Sequence, residues 1–550
     1  MCMSVGKILF FRLIRLRTSM NDEEDASMKE LFESINSILA FVGPLSDFFW
    51  DFPTNFAWYK AIPVLGNFSL AVIVLFGSGI YFSYRLGFIQ ISHFWSGIRL
   101  MMKHRSAETG ISPLAAFFLS SAMRVGPGNI LGVTGAISVG GPGALFWMWA
   151  IAFLGAGSAF AESTLGQLYK EQHEGQYRGG PAYYIEKGFG ETGFAKAYGL
   201  LFAIVTVIAI GILLPGVQSN SIADAVKSSF GLSTTVTAVI LVVLTGIVVL
   251  GGIKRIGSAA EFIVPFMGGL YILMAVIIII VNIGQLPTVL SQIFKGAFKL
   301  DATFGGIFGS TVAWGVKRGV YSNEAGQGTG PQASSAAEVN HPAVQGFVQA
   351  FSVYVDTLFV CSATGFMILM TNCYTTFNES TKEVVYNAGQ AFTVDQIGPQ
   401  YTIAGINTLI PGFGGAFVTI ALFFFVFTTL MAYYYIAEVN LTYIVKKVTG
   451  GKSSKICEYI LVLVFLAMIA FGAVKSATLA WTMGDVGVGM MAWLNIIAIL
   501  VLSNTVMKCF NDYERQLKAG IPTTEITFDP VSLGIKGATF WEEKCSNTNK

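Results

Sequence analysis

Charged side chains are scarce in this chain. Only 12% of its 550 residues are charged, against about 25% in typical soluble proteins. The chain also has just four histidines and six scattered cysteines, with no C-x-x-C pair. These shortages argue against a soluble domain, a haem or zinc site and a disulfide framework. A formal net charge of +2 without a basic block gives no sign of a nucleic-acid partner.

The chain is rich in long apolar segments, and 53% of its residues are hydrophobic. About 20 such residues cross a bilayer as one helix, so the pattern predicts an all-α polytopic membrane protein with eleven spans. The predicted spans are 63–87, 112–139, 144–168, 196–217, 234–252, 255–282, 303–325, 344–371, 414–445, 456–473 and 477–504. Segment 287–298 is predicted as a short interfacial helix.

Lysine and arginine are concentrated in alternate connections, which predicts that this side of the bilayer is cytoplasmic. The N-terminus is then outside and the C-terminus inside a cell membrane. The predicted domains are an N-terminal extension 1–60 with room for an interfacial helix, a membrane-spanning domain 61–510 and a cytoplasmic tail 511–550. Within the membrane-spanning domain, an extra helix 62–88 precedes a first repeat 112–283 and a second repeat 302–507. Because each repeat has an odd number of spans, five, the second repeat is inverted in the membrane relative to the first.

The first nineteen residues disagree with this orientation, because they hold four basic side chains that would lie outside. These are Lys7, Arg12, Arg15 and Arg17. A start at Met20 would remove them, and we favour that interpretation. A signal-like extension is the alternative, although arginines interrupt its apolar stretch.

Two predicted spans contain glycine-rich interruptions. The first carries Val-Gly-Pro-Gly-Asn at 125–129, and the second carries Gly-Gly-Ile-Phe-Gly-Ser-Thr at 305–311. Helix breaks are tolerated in membranes chiefly where the freed backbone faces protein, water or a ligand, so paired breaks predict a midplane binding site. The predicted substrate-binding residues are Gly126, Pro127, Gly128, Asn129, Phe308, Gly309, Ser310 and Thr311. The alternative is a proline kink with small residues for close helix packing.

The run Arg-Gly-Val-Tyr-Ser-Asn-Glu-Ala-Gly-Gln-Gly at 318–328 is the strongest signature. It resembles the hallmark of the alanine or glycine:cation symporter family. Supporting matches are Gly-Gly-Pro-Gly-Ala-Leu-Phe-Trp at 140–147, Ala-Glu-Ser-Thr at 161–164, Gly-Gly-Pro-Ala-Tyr-Tyr at 179–184 and Asp-Thr at 356–357. The resemblance implies a leucine-transporter-type inverted repeat with broken first and sixth core helices. It also implies symport of small neutral amino acids, chiefly alanine and glycine, with Na⁺ and less often H⁺.

The same resemblance implies a sodium site between carbonyls of the first break and hydroxyls of the eighth core helix. The residues that match are Ala122 and Val125 for the carbonyls, and Thr428 and Thr429 for the hydroxyls. Tyr433 lies four residues beyond Thr429 and would wall the substrate pocket, where family members commonly carry tryptophan. Pro127 stands where the family commonly has threonine. The alternative is that both threonines bond back to their own helix.

Charged residues within spans are expensive and are functional candidates by default. They are Arg124, Glu162, Asp356, Glu438 and Asp485, to which Glu324 is added near the end of a span. The three glutamates fall near cytoplasmic helix ends, which favours gating ion pairs with Arg124 or Lys317. Asp356 lies mid-span and either couples to a cation or proton or pins a broken helix. We take Arg124, Glu324 and Asp356 as the coupling or gating candidates.

Together with the paired breaks, the resemblance implies a sodium-coupled symporter that imports small neutral amino acids, with Na⁺ as coupling ion and no other cofactor. Its expected partners are the amino acid, Na⁺ or a proton, and the lipid bilayer. The alternatives are a proton-coupled carrier of another small solute on the same fold, and a channel. An enzyme is disfavoured because no span holds a nucleophile, histidine or metal constellation. The connection 372–411 is long enough to form an outer lid.

Overall fold

A computed structural model describes residues 42–62, 65–102, 109–173, 175–298, 307–450, 455–475 and 477–548. The helices, numbered in chain order, are α1 Val42–Trp50, α2 Ala57–Lys60, α3 Leu70–Arg85, α4 Ile89–Ser92, α5 Phe94–Met101, α6 Pro113–Arg124, α7 Leu131–Gly140, α8 Gly143–Leu168, α9 Pro181–Gly188, α10 Gly193–Phe230, α11 Thr234–Val249, α12 Gly252–Val281, α13 Leu286–Ala297, α14 Phe308–Asn323, α15 Gly330–Ser335, α16 Pro342–Met370, α17 Gln400–Asn407, α18 Phe413–Thr449, α19 Lys455–Val474, α20 Ala477–Val501, α21 Ser503–Lys518 and α22 Thr539–Thr548. Two short antiparallel hairpins pair β1 Glu171–His173 with β2 Gln176–Arg178, and β3 Thr375–Phe377 with β4 Val384–Asn387.

Seven of the described helices are long and apolar enough to cross a membrane, namely α8, α10, α12, α16, α18, α19 and α20. Two shorter apolar helices, α3 and α11, join them. A polytopic helical membrane protein is therefore confirmed. Most helix bounds follow the predicted spans within a few residues, because caps and glycines mark the ends. Two bounds were wrong: α3 begins at Leu70 rather than 63, and α10 continues to Phe230 rather than ending at 217, because its polar second half packs inside the bundle. The residues around the alternative start at Met20 lie outside the described part.

The predicted first break is present. Ser112 caps α6, since its hydroxyl accepts the amide of Ala115 at 3.0 Å, and α6 ends at Arg124. Gly126 is extended, and Pro127 cannot donate a hydrogen bond. A short 3₁₀ turn, Pro127–Asn129, then leads into α7.

The second break lies elsewhere than predicted. Residues 305–306 fall outside the described residues, and Gly309, Ser310 and Thr311 belong to the regular helix α14. The chain leaves helical geometry at 324–329, after the end of α14 and before α15. Glu324, Gly326 and Gly328 have positive φ there, of 54°, 80° and 89°. A left-handed backbone ends a helix, whereas a small residue with helical φ does not, so the prediction at 309–311 is wrong.

The core of the bundle is packed closely around α8. A Cβ atom on Gly315 would lie 2.6 Å from the carbonyl oxygen of Ala144, and one on Gly319 would lie 2.5 Å from a methyl of Ile151. Only glycine allows α14 to approach α8 this closely. The outer faces carry exposed apolar side chains, as on α12, where Phe262 is 79% exposed. Such a surface suits lipid contact.

One end of the bundle, here called the β3–β4 end, is covered by the connection 372–411. Glu379 lies between β3 and β4, and its carboxylate accepts hydrogen bonds from the Ser310 hydroxyl and the Trp314 indole, both at 2.8 Å. The Thr376 hydroxyl donates to the carbonyl of Ile137 at 3.1 Å. The connection is thus attached to α14 and to α7.

The opposite end, here called the tail end, is covered by the C-terminal segment 519–548. Its Trp541 is 1% exposed and donates its indole hydrogen to the carbonyl of Gln167 at 3.0 Å. Beside it, the Lys170 ammonium donates to the carbonyl of Ala337 at 2.9 Å and lies 4.1 Å from the centre of the Tyr177 ring. Burial, with the nearby Lys544 ammonium, lowers the pKa of Lys170. The tail is therefore part of the folded bundle.

Candidate functional site

Asp356 joins the two breaks. It lies in a π-helical turn of α16, Val355–Cys361, and is buried. Its Oδ1 accepts the side-chain amide of Asn129 at 2.6 Å and the hydroxyl of Ser322 at 3.1 Å. Asn129 belongs to the first break, and Ser322 is two residues before the second. Thr357 donates to Oδ2 at 2.7 Å.

Arg124 makes a second connection between the breaks. Its guanidinium is 2% exposed, and Nε donates to the carbonyl of Asn323 at 2.7 Å. Nη1 donates to Ser352 at 2.6 Å, Ser120 at 2.7 Å and Gln349 at 3.1 Å. The carboxylates of Glu162, Glu324 and Asp356 all act on it electrostatically. Arg124 is thus the cation at the centre of a cluster of buried carboxylates.

Oxygen atoms converge where the first break meets α18. The Thr429 hydroxyl oxygen lies 2.8 Å from the carbonyl oxygen of Phe425, 2.9 Å from that of Ala122 and 3.4 Å from that of Val125. One hydroxyl has a single hydrogen to share among these three acceptors. A small cation would satisfy all four oxygens at once, because carbonyl and hydroxyl oxygens are ligands for hard cations.

The first break itself frees these carbonyls. In a continuous helix the amide of Gly126 would bond to Ala122 and that of Asn129 to Val125. Here the Gly126 amide donates to the Asn129 side chain at 2.8 Å, and the Asn129 amide donates to the carbonyl of Gly126 at 3.1 Å. The structure therefore brings three predicted cation-site residues together, and the Phe425 carbonyl joins them without having been predicted.

Thr428 does not join this cluster. Its hydroxyl lies 2.9 Å from the carbonyl oxygen of Phe424, 3.1 Å from that of Phe425 and 3.8 Å from the sulfur of Met267. Adjacent residues on a helix point about 100° apart, so the two hydroxyls face different neighbours. Both hydroxyls bond back to their own helix, because Phe425 lies four residues before Thr429, but Thr429 alone of the two also contacts carbonyls of the first break.

Tyr433 is close to the cluster but already has a partner. It is 2% exposed, and its hydroxyl donates to Glu324 Oε1 at 3.0 Å. The Thr329 hydroxyl donates to Glu324 Oε2 at 2.6 Å. Tyr433 therefore links α18 to the second break, one helical turn beyond Thr429.

Gln218 was missed by the sequence prediction. Its side-chain carbonyl oxygen is buried without a hydrogen-bond partner among the described residues, and it lies 3.5 Å from where a Cβ of Gly126 would be. The hydroxyl of Tyr321 is also buried and unpartnered in this part of the chain, and its ring lies 3.2 Å from a Cβ position on Gly128. Unpaired buried polar atoms are costly, so these two beside the first break make it the candidate ligand site. The predicted span ends at 217, which places the polar run 218–221 that follows it in a connection, although the structure continues α10 through it.

The four predicted residues of the second segment lie far from this place. Phe308 begins α14, the Ser310 hydroxyl contacts Glu379, and the Thr311 hydroxyl donates to the carbonyl of Gly140 at 2.8 Å. Gly140 ends α7, whose ten residues separate it from the first break by about 15 Å. The structure thus does not bring Phe308, Gly309, Ser310 and Thr311 to the first break.

A cavity of about 510 Å³ opens instead at the β3–β4 end. Gly309 and Ser310 line it, together with Trp314, Lys317 and Asp51. Burial raises the pKa of Asp51 to about 6. Most of its lining is polar, which suits water and polar solutes.

An ionic layer separates that cavity from the breaks. Arg318 forms a two-pronged pair with Asp485, at 3.1 and 3.0 Å, and Lys317 contacts Asp485 Oδ2 at 3.0 Å. The Arg318 guanidinium lies 5.0 Å from the centre of the Trp481 ring, which packs on Tyr321. The layer closes the β3–β4 side of the site in this conformation.

The predicted gating pairs of the glutamates are not formed. Lys317 pairs with Asp485, and Glu438 pairs with Arg178 at 2.8 Å. Glu324 accepts from neutral hydroxyls, and Glu162 accepts from backbone amides of the second break. Sequence spacing shows which end of a span a charge occupies, but it does not show which neighbouring helix faces it.

The family model described as "Sodium:alanine symporter family" matches residues 57–527. The chain belongs to the sodium:alanine symporter family. This membership confirms the resemblance of the run at 318–328, which now proves to contain the second break. It also identifies the chain as one of a family of transporters.

Individual relatives of this family member agree with the match. A Bacillus subtilis protein, YrbD, named as a candidate sodium/proton-dependent alanine carrier, is 52% identical over 479 residues, covering 87% of this chain and 96% of its own. The sodium/proton-dependent alanine carrier protein of Bacillus sp. strain PS3 is 45% identical over 445 residues, covering 81% and 97%. The sodium/alanine symporter AgcS of Methanococcus maripaludis is 37% identical over 453 residues, covering 81% and 94%.

Proposed function

We propose that this protein is a sodium-coupled symporter that imports small neutral amino acids, alanine and glycine first, by alternating access. The observation that carries the proposal is the convergence of three carbonyl oxygens on the Thr429 hydroxyl beside the first break. Carbonyls and a hydroxyl neutralise little of a cation's charge, so Na⁺ would bind weakly and reversibly there. The names of the relatives support alanine as the substrate and Na⁺ or H⁺ as the driver.

The amino acid would bind in the gap between the two breaks. Its carboxylate suits the amide end of α7, where the helix dipole is positive. Its ammonium suits the freed carbonyls and the unpaired oxygen of Gln218. Gly126 and Gly128 leave little room, because a Cβ on either would already lie within 3.2 Å of Thr429 or Tyr321. A gap walled this closely favours a small side chain.

We further propose eleven spans, arranged as one extra helix followed by two inverted repeats of five. The seven long apolar helices, the two shorter ones and the two broken pairs α6–α7 and α14–α15 supply that number. The β3–β4 end would face outward and the tail end inward, with the N-terminus outside the cell membrane. The tail end carries the basic pairs Arg178–Glu438, Lys446–Glu171 and Lys447–Glu186, in agreement with the positive-inside rule.

Transport would exchange access between the two ends. The Arg318–Asp485 layer closes the β3–β4 side, and the three basic pairs lie across the tail side. Opening either side requires its ion pairs to separate, while the site between the breaks stays in place. Na⁺ at Thr429 would hold α6 against α18 until the substrate is bound.

The proposal is tested by uptake of labelled alanine into proteoliposomes, with Na⁺ outside or replaced by choline. We expect saturable uptake that needs Na⁺ and is competed by glycine. Uptake that is unchanged in choline and driven by an acid-outside pH gradient would favour the proton-coupled alternative. Ohmic conductance without saturation would show a channel.

Asp356 is expected to act by pinning the breaks rather than by carrying a coupled charge. Asp356→Asn keeps an oxygen for Asn129 and Ser322, so we expect maximal uptake to fall by less than about 10-fold with unchanged Na⁺ dependence. Asp356→Leu removes three hydrogen bonds to a charged group, each worth about 1.5–3 kcal/mol, and should lower uptake by more than about 100-fold. A changed Na⁺ or pH dependence in Asp356→Asn would instead assign the coupled charge to this carboxylate.

A further inference from the structure

Glu162 is a buried carboxylate that the transport scheme above does not use. It lies in α8 and is 0% exposed. Its Oε1 accepts the amide of Gly326 at 3.3 Å, and its Oε2 accepts the amide of Gly328 at 3.1 Å and the side-chain amide of Asn495 at 2.7 Å. The carboxylate therefore fills the inside of the second break.

The backbone of the break is shaped to receive this carboxylate. The positive φ of Gly326 and Gly328 turns both amides toward one point, which makes a concave anion-binding loop. Both positions strain any other residue, and a Cβ on Gly328 would lie 2.9 Å from Phe202 and Pro181. Without Glu162 the two amides would be buried and unpaired, since they lie in the interior of the bundle.

Asn495 of α20 extends the contact toward the tail end. Its side-chain nitrogen also donates to the carbonyl of Gly326 at 2.9 Å, so it holds both sides of the loop. Its side-chain oxygen accepts the hydroxyl of Tyr184. Tyr184 lies in α9, whose Glu186 makes one of the tail-end ion pairs, with Lys447. Hydrogen bonds therefore connect the second break to α9, and the same helix carries an ion pair of the tail end.

We propose that Glu162 and Asn495 are positioning residues that hold the second break in its substrate-binding shape. Tyr184 couples the conformation of the tail end to these two residues. The inference rests on the proposed amino-acid symport and adds residues that touch neither substrate nor Na⁺. When the tail-end pairs separate, α9 moves, and the Tyr184 contact with Asn495 changes. The break then loosens and the substrate is released on that side.

The carboxylate is essential to this scheme because it offers two acceptors. Glu162→Gln keeps the size but has one acceptor oxygen and an amide that would face a backbone N–H. Glu162→Asp keeps two acceptors on a shorter arm. Ser163→Ala is the matched control, since it changes the next residue of α8, whose hydroxyl has no partner among the described residues. Tyr184→Phe removes only the contact with Asn495.

The experiment combines alanine uptake with thermal unfolding of the purified full-length protein, measured with Na⁺ alone and with Na⁺ plus alanine. A ligand that binds the folded state raises the melting temperature. We expect Glu162→Gln and Asn495→Ala to keep the shift given by Na⁺ alone, to lose most of the alanine shift and to raise the alanine KM at least about 10-fold, the equivalent of one hydrogen bond. Glu162→Asp should recover part of the affinity, Ser163→Ala should match the wild type, and Tyr184→Phe should change maximal uptake with KM unaltered.

An unchanged alanine KM in both Glu162→Gln and Asn495→Ala would overturn the proposal. Loss of the Na⁺ shift together with the alanine shift would overturn it as well, because it would show general damage to the bundle. If Glu162→Gln does not fold, Asn495→Ala and Glu162→Asp decide the question. A wild-type protein with no alanine shift and no uptake would reject the symport itself, which is a distinct outcome.

Discussion

Thr429→Ala is expected to abolish sodium-dependent alanine uptake at ordinary Na⁺ concentrations. The Thr429 hydroxyl oxygen lies within 3.4 Å of both the Ala122 and the Val125 carbonyl oxygens. An interaction with a charged partner is worth about 1.5–3 kcal/mol, so its loss should weaken Na⁺ binding about 10- to 100-fold. Because the cation also holds α6 against α18, alanine affinity should fall with it.

Thr428→Ala provides the matched control one residue away. Its hydroxyl contacts its own helix and the Met267 sulfur, so we expect an apparent Na⁺ affinity within about 3-fold of the wild type. Thr429→Ser, which keeps the hydroxyl, should restore most of the uptake. The measurement is the Na⁺ concentration for half-maximal alanine uptake in proteoliposomes. Equal losses for Thr428→Ala and Thr429→Ala would contradict the assignment.

Arg124→Lys is expected to leave a folded protein that does not transport. The guanidinium donates to Asn323 with one nitrogen and to Ser120, Gln349 and Ser352 with another. A lysine keeps the positive charge among the carboxylates, but its single ammonium cannot serve both directions at once. The link between the breaks is then lost. Because at least two hydrogen bonds to a charged group are lost with it, uptake should fall more than about 100-fold.

Arg85→Lys makes the same substitution far from the breaks, where Arg85 contacts Tyr81 and Asn504, and should leave uptake near the wild type. Arg124→Gln removes the charge as well, which leaves buried carboxylates without their cation and should lower the melting temperature sharply. Uptake and thermal unfolding in detergent separate these effects. Near-normal uptake by Arg124→Lys would show that charge alone suffices at this position.

The helices could be predicted from sequence because their ends carry local signals. Ser112, Pro113 and the glycines after α18 mark boundaries within a few residues, and the apolar length gives the rest. The first break was predictable for the same reason, since Pro127 removes a donor whatever its neighbours are. The oxygen cluster at Thr429 followed from the family resemblance.

The second break and the ionic layer could not be predicted in this way. Gly309 and Gly326 are both glycines, and the sequence alone does not show which of them interrupts a helix. The left-handed backbone at Gly326 depends on its tertiary contact with Glu162. The partner of Lys317 is Asp485, 168 positions away, and helix spacing contains no information about such a meeting. Gln218 was overlooked because the apolar run ends at 217, whereas α10 continues through the polar residues after it as a buried helix.

The folded tail extends beyond the last residue that the family model matches. The family match ends at 527, whereas Trp541 is buried against Gln167 and α22 extends to Thr548. Phe528, Ile535 and Ala538 pack in the same layer. A chain shortened at the family boundary would leave an open apolar surface on one end of the bundle. Purification tags and fluorescent proteins should therefore be fused after residue 548 through a spacer. The chain should not be shortened before that residue.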